Sequence, residues 1–208
     1  MTTAPYFSLP GRWLRVPLSS EAAMRTSIRK TMDELTNRRD ELARVRAELR
    51  ERFTAAAELA RSGGASDLFL GLELMPGLPL PAWIAVFPAD YENADFDALG
   101  FGDFTKALDL AAGPAPSGGS RTESDIDAPT AIHVVRHAWR RTTEVVEADV
   151  ETTFEFVEAD YWIAAREPNR LALVTFSTAL AEYEAEMLEL FDAIISTVKW
   201  KVPGAVPA

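Results

Sequence analysis

The runs AIHVVRHAWRRTTEVV (Ala131 to Val146), TTFEFVEADYWIAAR (Thr152 to Arg166) and RLALVTF (Arg170 to Phe176) decide the fold. All three are rich in β-branched and aromatic side chains, which suit a pleated, half-buried surface, so the first two read as a pair of long strands. Glu167-Pro168-Asn169 then makes a turn, and the mostly apolar third run reads as a central strand. Ser177 and Thr178 are placed to cap a final helix with the stripe Leu180, Tyr183, Met187, Leu190 or Phe191, Ile194 and Val198. Glu182, Glu184 and Glu186 near its start suit the positive end of the helix dipole. The tail 201–208, with Pro203 and Pro207, is expected to fray.

Working back from the hairpin, residues 112–129 (AGPAPSGGSRTESDIDAP) hold almost no core-forming side chains and read as a mobile internal loop. Asp95 to Leu110 carries Phe96, Leu99, Phe104 and Leu108 at helical spacing, made short or irregular by Gly100 and Gly102. Leu68, Leu70, Leu72 and Leu74 share one face of a strand, and Trp83, Ala85 and Phe87 alternate with Ile84 and Val86 in the next. Arg12 to Leu18 alternates as well and reads as an edge strand, with Pro17 near its end.

Between these strands, Glu21 to Arg61 shows one amphipathic stripe: Met24, Ile28, Met32, Leu35, Leu42, Val45, Leu49, Phe53, Ala56 and Ala60. A single helix of that length would run about 60 Å, against a diameter of about 43 Å for a compact chain of this size. Asn37 and Asp40 offer a fresh N-cap, so two helices with a break are expected, the first capped by Ser19 and Ser20 and the second ended by Ser62-Gly63-Gly64. Helices at both ends around a group of strands predict an α+β fold, with an antiparallel or mixed sheet of about six strands covered by helices. The expectation is one domain over 1–208.

Composition narrows the chemistry. The 208 residues carry 32 acidic and 21 basic side chains, a net charge of −11, which repels a polyanion and argues against nucleic acid. No Cys is present, which removes disulfides, thiolate metal sites and cysteine nucleophiles, and only His133 and His137 remain as imidazoles. No signal-type apolar segment opens the sequence, so a cytoplasmic protein is expected. The apolar run Leu68 to Pro88 has Glu73 as its only charge, but Pro76, Pro79, Pro81 and Pro88 rule out a spanning helix, and Met75-Pro76-Gly77 is turn chemistry.

Candidate sites are few. His133 and His137 share a strand face about 13 Å apart, too far to hold one ion, so no metal is expected. Gly100-Phe101-Gly102 lacks a strand–turn–helix context for a dinucleotide, and Asn93-x-Asp95-x-Asp97 lacks the remaining EF-hand ligands. Glu158 and Asp160 stand about 7 Å apart on one strand face, close enough for paired-carboxylate catalysis; a solvent-facing polar row is the plainer account. Arg136, Trp139, Arg140 and Arg141 form a basic and aromatic cluster, with Arg136 and Arg140 on one face and Trp139 and Arg141 on the other. Residues 1–62 carry 12 basic and 8 acidic side chains, a balance of +4, against 9 and 24, a balance of −15, over 63–208. Ile28, Leu35, Leu42 and Leu49 repeat by seven, yet Arg38 and Arg52 weaken a coiled-coil seam, and packing on the protein's own strands is favoured.

The closing stretch YWIAAREPNRLALVTFSTALAEYEAEMLELFDAIISTVKW, Tyr161 to Trp200, resembles the carboxy-terminal half of actinobacterial proteins, including the mycobacterial LpqN-type lipoproteins of the Mog1/PsbP-like fold group. The likeness covers about 40 residues well and the order of the other elements in outline. It implies a binding or accessory role, and no catalytic residue carries over, because Phe176, Phe191 and Trp200 are core types. The chain differs in lacking the lipoproteins' signal segment and lipidated cysteine, so their envelope location does not transfer. The functional expectation is a non-catalytic, cofactor-free protein-binding or accessory module, self-association included. Its contact residues would be Arg38, Arg39, Arg46, Arg136, Trp139 and Arg140. The alternative is a small hydrolase or ligand-binding enzyme using Glu158 and Asp160 with a histidine.

Overall fold

In a computed structural model the described residues are 5–35, 43–90, 98–112, 126, 128–147, 150–165 and 170–200. The chain begins with β1 (Pro5–Tyr6), β2 (Arg12–Pro17), α1 (Glu21–Leu35), α2 (Ala43–Ser62), β3 (Asp67–Met75), β4 (Leu78–Pro79) and β5 (Ala82–Asp90). It continues with α3 (Phe101–Ala112), β6 (Ala131–Glu147), β7 (Val150–Ala165), β8 (Arg170–Thr178), a 3₁₀ turn (Ala181–Tyr183), α4 (Glu184–Ser196) and β9 (Lys199–Trp200). The class is α+β, and the strand pairings within each of its two compact units are antiparallel. One unit is Gly11–Phe87; the other is Met1–Pro10 with Pro88–Ala208. The expected break at Asn37 and Asp40, most of the 112–129 loop and the 201–208 tail lie outside the described residues.

In the Gly11–Phe87 unit, β2 and β5 flank β3, with Val16 opposite Leu68 and Leu70 opposite Trp83. Alternation puts Leu14, Val16, Leu68, Leu70, Trp83, Ala85 and Phe87 on one face, where α1 and α2 cover them with Met24, Ile28, Met32 and Ala57. The first helix starts where expected: the Ser20 carbonyl accepts from the Met24 N–H and the Ser20 hydroxyl from the Ala23 N–H at 3.2 Å. The second ends in a Schellman motif, in which Gly64 takes φ +86° while its N–H and that of Ala65 donate to the Arg61 and Ala60 carbonyls. On α2 the buried alanine is Ala57 and not Ala56, which is exposed; Phe53, Ala57 and Ala60 keep the four-and-three spacing. Pro76-Gly77 joins β3 to β4, with φ +84° at Gly77, the conformation a type II turn needs at that position.

In the other unit β7 lies between β6 and β8, with 16 register pairs from Ala131↔Ala165 to Glu147↔Val150 along the hairpin. One face holds Val134, Ala138, Val157, Ala159, Tyr161, Ile163, Val174 and Phe176, all buried. A tilted ring contact of Phe176 with Phe191, at 4.6 Å between centroids, joins this face to α4, whose Met187, Ile194 and Ile195 are buried with it. The opposite face carries α3 at one end, where Phe104 and Leu108 pack on Val135, Ala164 and Leu171.

Two expectations are corrected in this unit. Ser177 and Thr178 do not cap a helix: they continue β8 opposite Glu158 and Val157, and α4 begins at Glu184 after the 3₁₀ turn. The helix expected from Asp95 starts at Phe101, where the Gly100 carbonyl accepts the Asp103 and Phe104 N–H groups; Ala98 to Gly100 are not helical, and 91–97 are outside the described residues.

Candidate functional site: a basic helical groove and a buried polar row

The two helices of the Gly11–Phe87 unit meet along a charged seam. Arg25 donates to Glu58 at 2.7 Å and to Glu21 at 2.8 Å, and Arg50 pairs with Asp33. The two bridges put Arg25 beside Glu58 and Asp33 beside Arg50, so the helices run antiparallel and Arg29 stands midway, level with Thr54. Arg29 makes no ion pair among the described residues, and the Arg50 Nε is buried without an acceptor among them. Arg25, Arg29, Arg50, Thr54 and Glu58, with Ile28, Glu51 and Ala55, line an open groove of about 530 Å³. Arg38 and Arg39 lie outside the described residues, and Arg46 is placed in α2 by its backbone.

The second constellation lies on the hairpin. Cross-strand register aligns His137, Asp160 and Thr175 in one row and Trp139, Glu158 and Ser177 in the next. The Thr175 hydroxyl donates to Asp160 at 2.6 Å; Glu158 accepts from Arg141 at 2.8 Å and from the Ser177 hydroxyl at 3.1 Å. Glu158 is only 5% exposed and His137 9%, so the expectation of a solvent-facing polar row is overturned: this part of the face is buried. Burial pushes the Glu158 carboxyl above its ordinary range, with Arg141 and Ser177 opposing. Asp160 is pushed up to about 6, by burial first and then by the neighbouring Glu158 charge, against the Thr175 hydrogen bond.

His133 shares that face but stands apart, under α3. Its ring stacks on Phe104 at 5.2 Å and its Nε2 lies 2.8 Å from the Leu99 carbonyl. Among the described residues no His, Asp and Glu cluster could hold a metal ion.

Of the remaining sequence candidates, Arg136 and Arg140 fall on the α4 side. Arg136 pairs with Asp192, which also accepts from the Tyr161 hydroxyl at 2.6 Å; burial and that carboxylate keep the phenol neutral far above its ordinary range. Arg140 donates to Glu184 at 2.6 Å and lies 3.7 Å from Glu155. Both arginines therefore tie β6 to the last helix, while Trp139 sits on the opposite face beside Glu158. The sequence identified the face-sharing carboxylates but missed Thr175, Ser177 and Arg141 as their partners; their cross-strand positions depend on the hairpin register.

No family model matches the sequence, and no curated protein matches it. Among solved structures the chain is similar to LpqN of Mycobacterium tuberculosis, described as involved in cell envelope biogenesis, with 13% identity and a TM-score of 0.37, over 96% of this chain and 86% of that one. None of the described helices is long and apolar enough to cross a membrane.

Proposed function

We propose that this protein is a non-catalytic binding or accessory module that holds an acidic segment of a partner protein against the α1–α2 face. The observation that carries the reading is the open groove in which Arg29 lacks an ion pair among the described residues between two bridged arginines. Charge segregation supports it, since a basic patch on an acidic chain steers an acidic partner to that patch and repels it elsewhere. Arg38, Arg39 and Arg46 belong to the basic balance of residues 1–62 and are the contact residues the sequence proposes beside Arg29. The module uses no cofactor and works in the cytoplasm; a chain without Cys needs no oxidising compartment to fold. Immobilised protein should capture its partner from the native host's extract at low salt and release it as salt rises. Reversing Arg29, Arg38, Arg39 and Arg46 to Glu should reduce capture with the circular dichroism spectrum unchanged; undiminished capture would refute the reading.

A second reading rests on the alignment of His137 with Asp160 beside Glu158: a small hydrolase or ligand-binding enzyme with Asp160 as the acid–base group. Against it, both carboxylates are already engaged, by Arg141, Ser177 and Thr175. Glu158→Gln, Asp160→Asn, His133→Gln and His137→Gln together should leave partner capture intact if the protein is a module, and abolish function if it is an enzyme.

A further inference from the structure

Among the described residues β6 pairs with β7 alone, which leaves one edge of a 17-residue strand unpaired. Such an edge invites a further strand unless it is short, bulged or interrupted by Pro, and where it carries charges it admits only a strand of complementary charge. This strand has no Pro, and its only register irregularity falls between Ala131 and His133. Its distal part is accessible: Arg140, Arg141, Thr142 and Glu144 are exposed, and Glu144 makes no ion pair among the described residues.

We propose that two copies of this protein associate through β6, antiparallel and centred on Thr142. Two-fold symmetry decides the centre. An antiparallel pair related by a two-fold axis needs one residue to face its own copy, and centring on Arg140 or Arg141 would set two guanidinium groups against each other. Centring on Thr143 would bring Arg141 opposite Val145 and Glu144 opposite Thr142, with no opposite charges facing. Centring on Thr142 places a hydroxyl at the axis and sets each Arg140 opposite the second copy's Glu144, twice by symmetry. Arg140 keeps Glu184 and Glu155 on its own chain, and the second copy's Glu144 adds a third carboxylate to the same guanidinium. The contact is short, so the dimer is weak and depends on concentration.

The chain's lack of Cys makes a direct test clean. Residues facing each other across an antiparallel pair have Cα atoms about 4.5–5.5 Å apart, within disulfide reach. Mild oxidation of Thr142→Cys should give a covalent dimer, while Thr153→Cys, exposed on β7 away from the free edge, should not. Wild type should sediment as a mixture of monomer and dimer whose dimer fraction rises with concentration, as a small, weak interface does, and Glu144→Arg, at a side chain without an ion pair among the described residues, should remain monomeric. Mixing Glu144→Arg with Arg140→Glu should restore a dimer that neither forms alone. A wild type monomeric at every concentration, an undisturbed Glu144→Arg dimer, equal cross-linking at positions 142 and 153, or no rescue on mixing would each overturn the proposal.

Discussion

Replacing Phe191 by Ala tests whether the last helix belongs to the core. Phe191 is fully buried and its ring lies tilted against that of Phe176, which also meets the Tyr161 ring edge-on at 5.2 Å. Truncating a buried Phe costs about 3–5 kcal/mol through lost transfer energy and the cavity left behind. Because Tyr161 anchors Phe176, that ring cannot swing in to fill the space, and about 0.5–1.5 kcal/mol of ring–ring interaction is lost as well. The expected cost is therefore in the upper part of the range, about 4–5 kcal/mol. Urea unfolding followed by tryptophan fluorescence should show it as a midpoint lower by about 1.5–2.5 M at a slope of about 2–3 kcal/mol per M. Phe191→Leu should cost about 1–2 kcal/mol. Phe154, 44% exposed, is the control, and its change to Ala should cost less than about 1 kcal/mol. A loss below about 1 kcal/mol at Phe191 with the slope unchanged would refute the packing argument and place α4 on the outside.

Other consequences follow from the polar row and the turns. Asp160 keeps its proton up to pH about 6 when folded but only to its ordinary 3.8 when unfolded, so the folded state binds more protons between those values. This group's contribution to stability falls as pH rises through that window, by up to about 3 kcal/mol. Asp160→Asn should therefore stabilise most above pH 6 and little at pH 4, as measured by urea midpoints across pH. Arg141→Met leaves Glu158 buried without its cation and should cost about 2–3 kcal/mol at pH 7.5, with a smaller loss at pH 5, where the carboxyl can take a proton. Gly11→Ala should cost more than about 2 kcal/mol, because φ is +77° and a Cβ would lie 2.2 Å from the Glu73 carbonyl oxygen. Gly77→Ala, with φ +84° in open space, should cost only about 1 kcal/mol. Thermal melts of the two glycine variants would check the contrast.

The hairpin was legible because long β-branched runs admit few alternatives, and the sharing of a face by Glu158 and Asp160 follows from alternation alone. Whether that face is wet or buried was not legible, since alternation says which residues lie together and not what covers them. Ser177 and Thr178 read as caps because their hydroxyls suit helix starts; pairing with Glu158 and Val157 overrides that local preference. Ala56 and Ala57 could not be told apart in an alanine-rich turn, where a shift of one residue rotates the stripe by only about 100°. The α1–α2 seam was half visible: the sequence shows many Arg and Glu, but only the antiparallel placement of the helices leaves Arg29 between two bridged pairs.

The central claim, that binding runs through the basic helical face and not through the carboxylate row, is tested most directly by titrating the captured partner calorimetrically into two variants. With Glu158→Gln, Asp160→Asn, His133→Gln and His137→Gln combined, the dissociation constant should match wild type. With Arg29, Arg38, Arg39 and Arg46 reversed to Glu, binding should weaken at least tenfold, about 1.4 kcal/mol, and lose most of its salt dependence. The opposite pattern, with binding abolished by the first set and untouched by the second, would contradict the account.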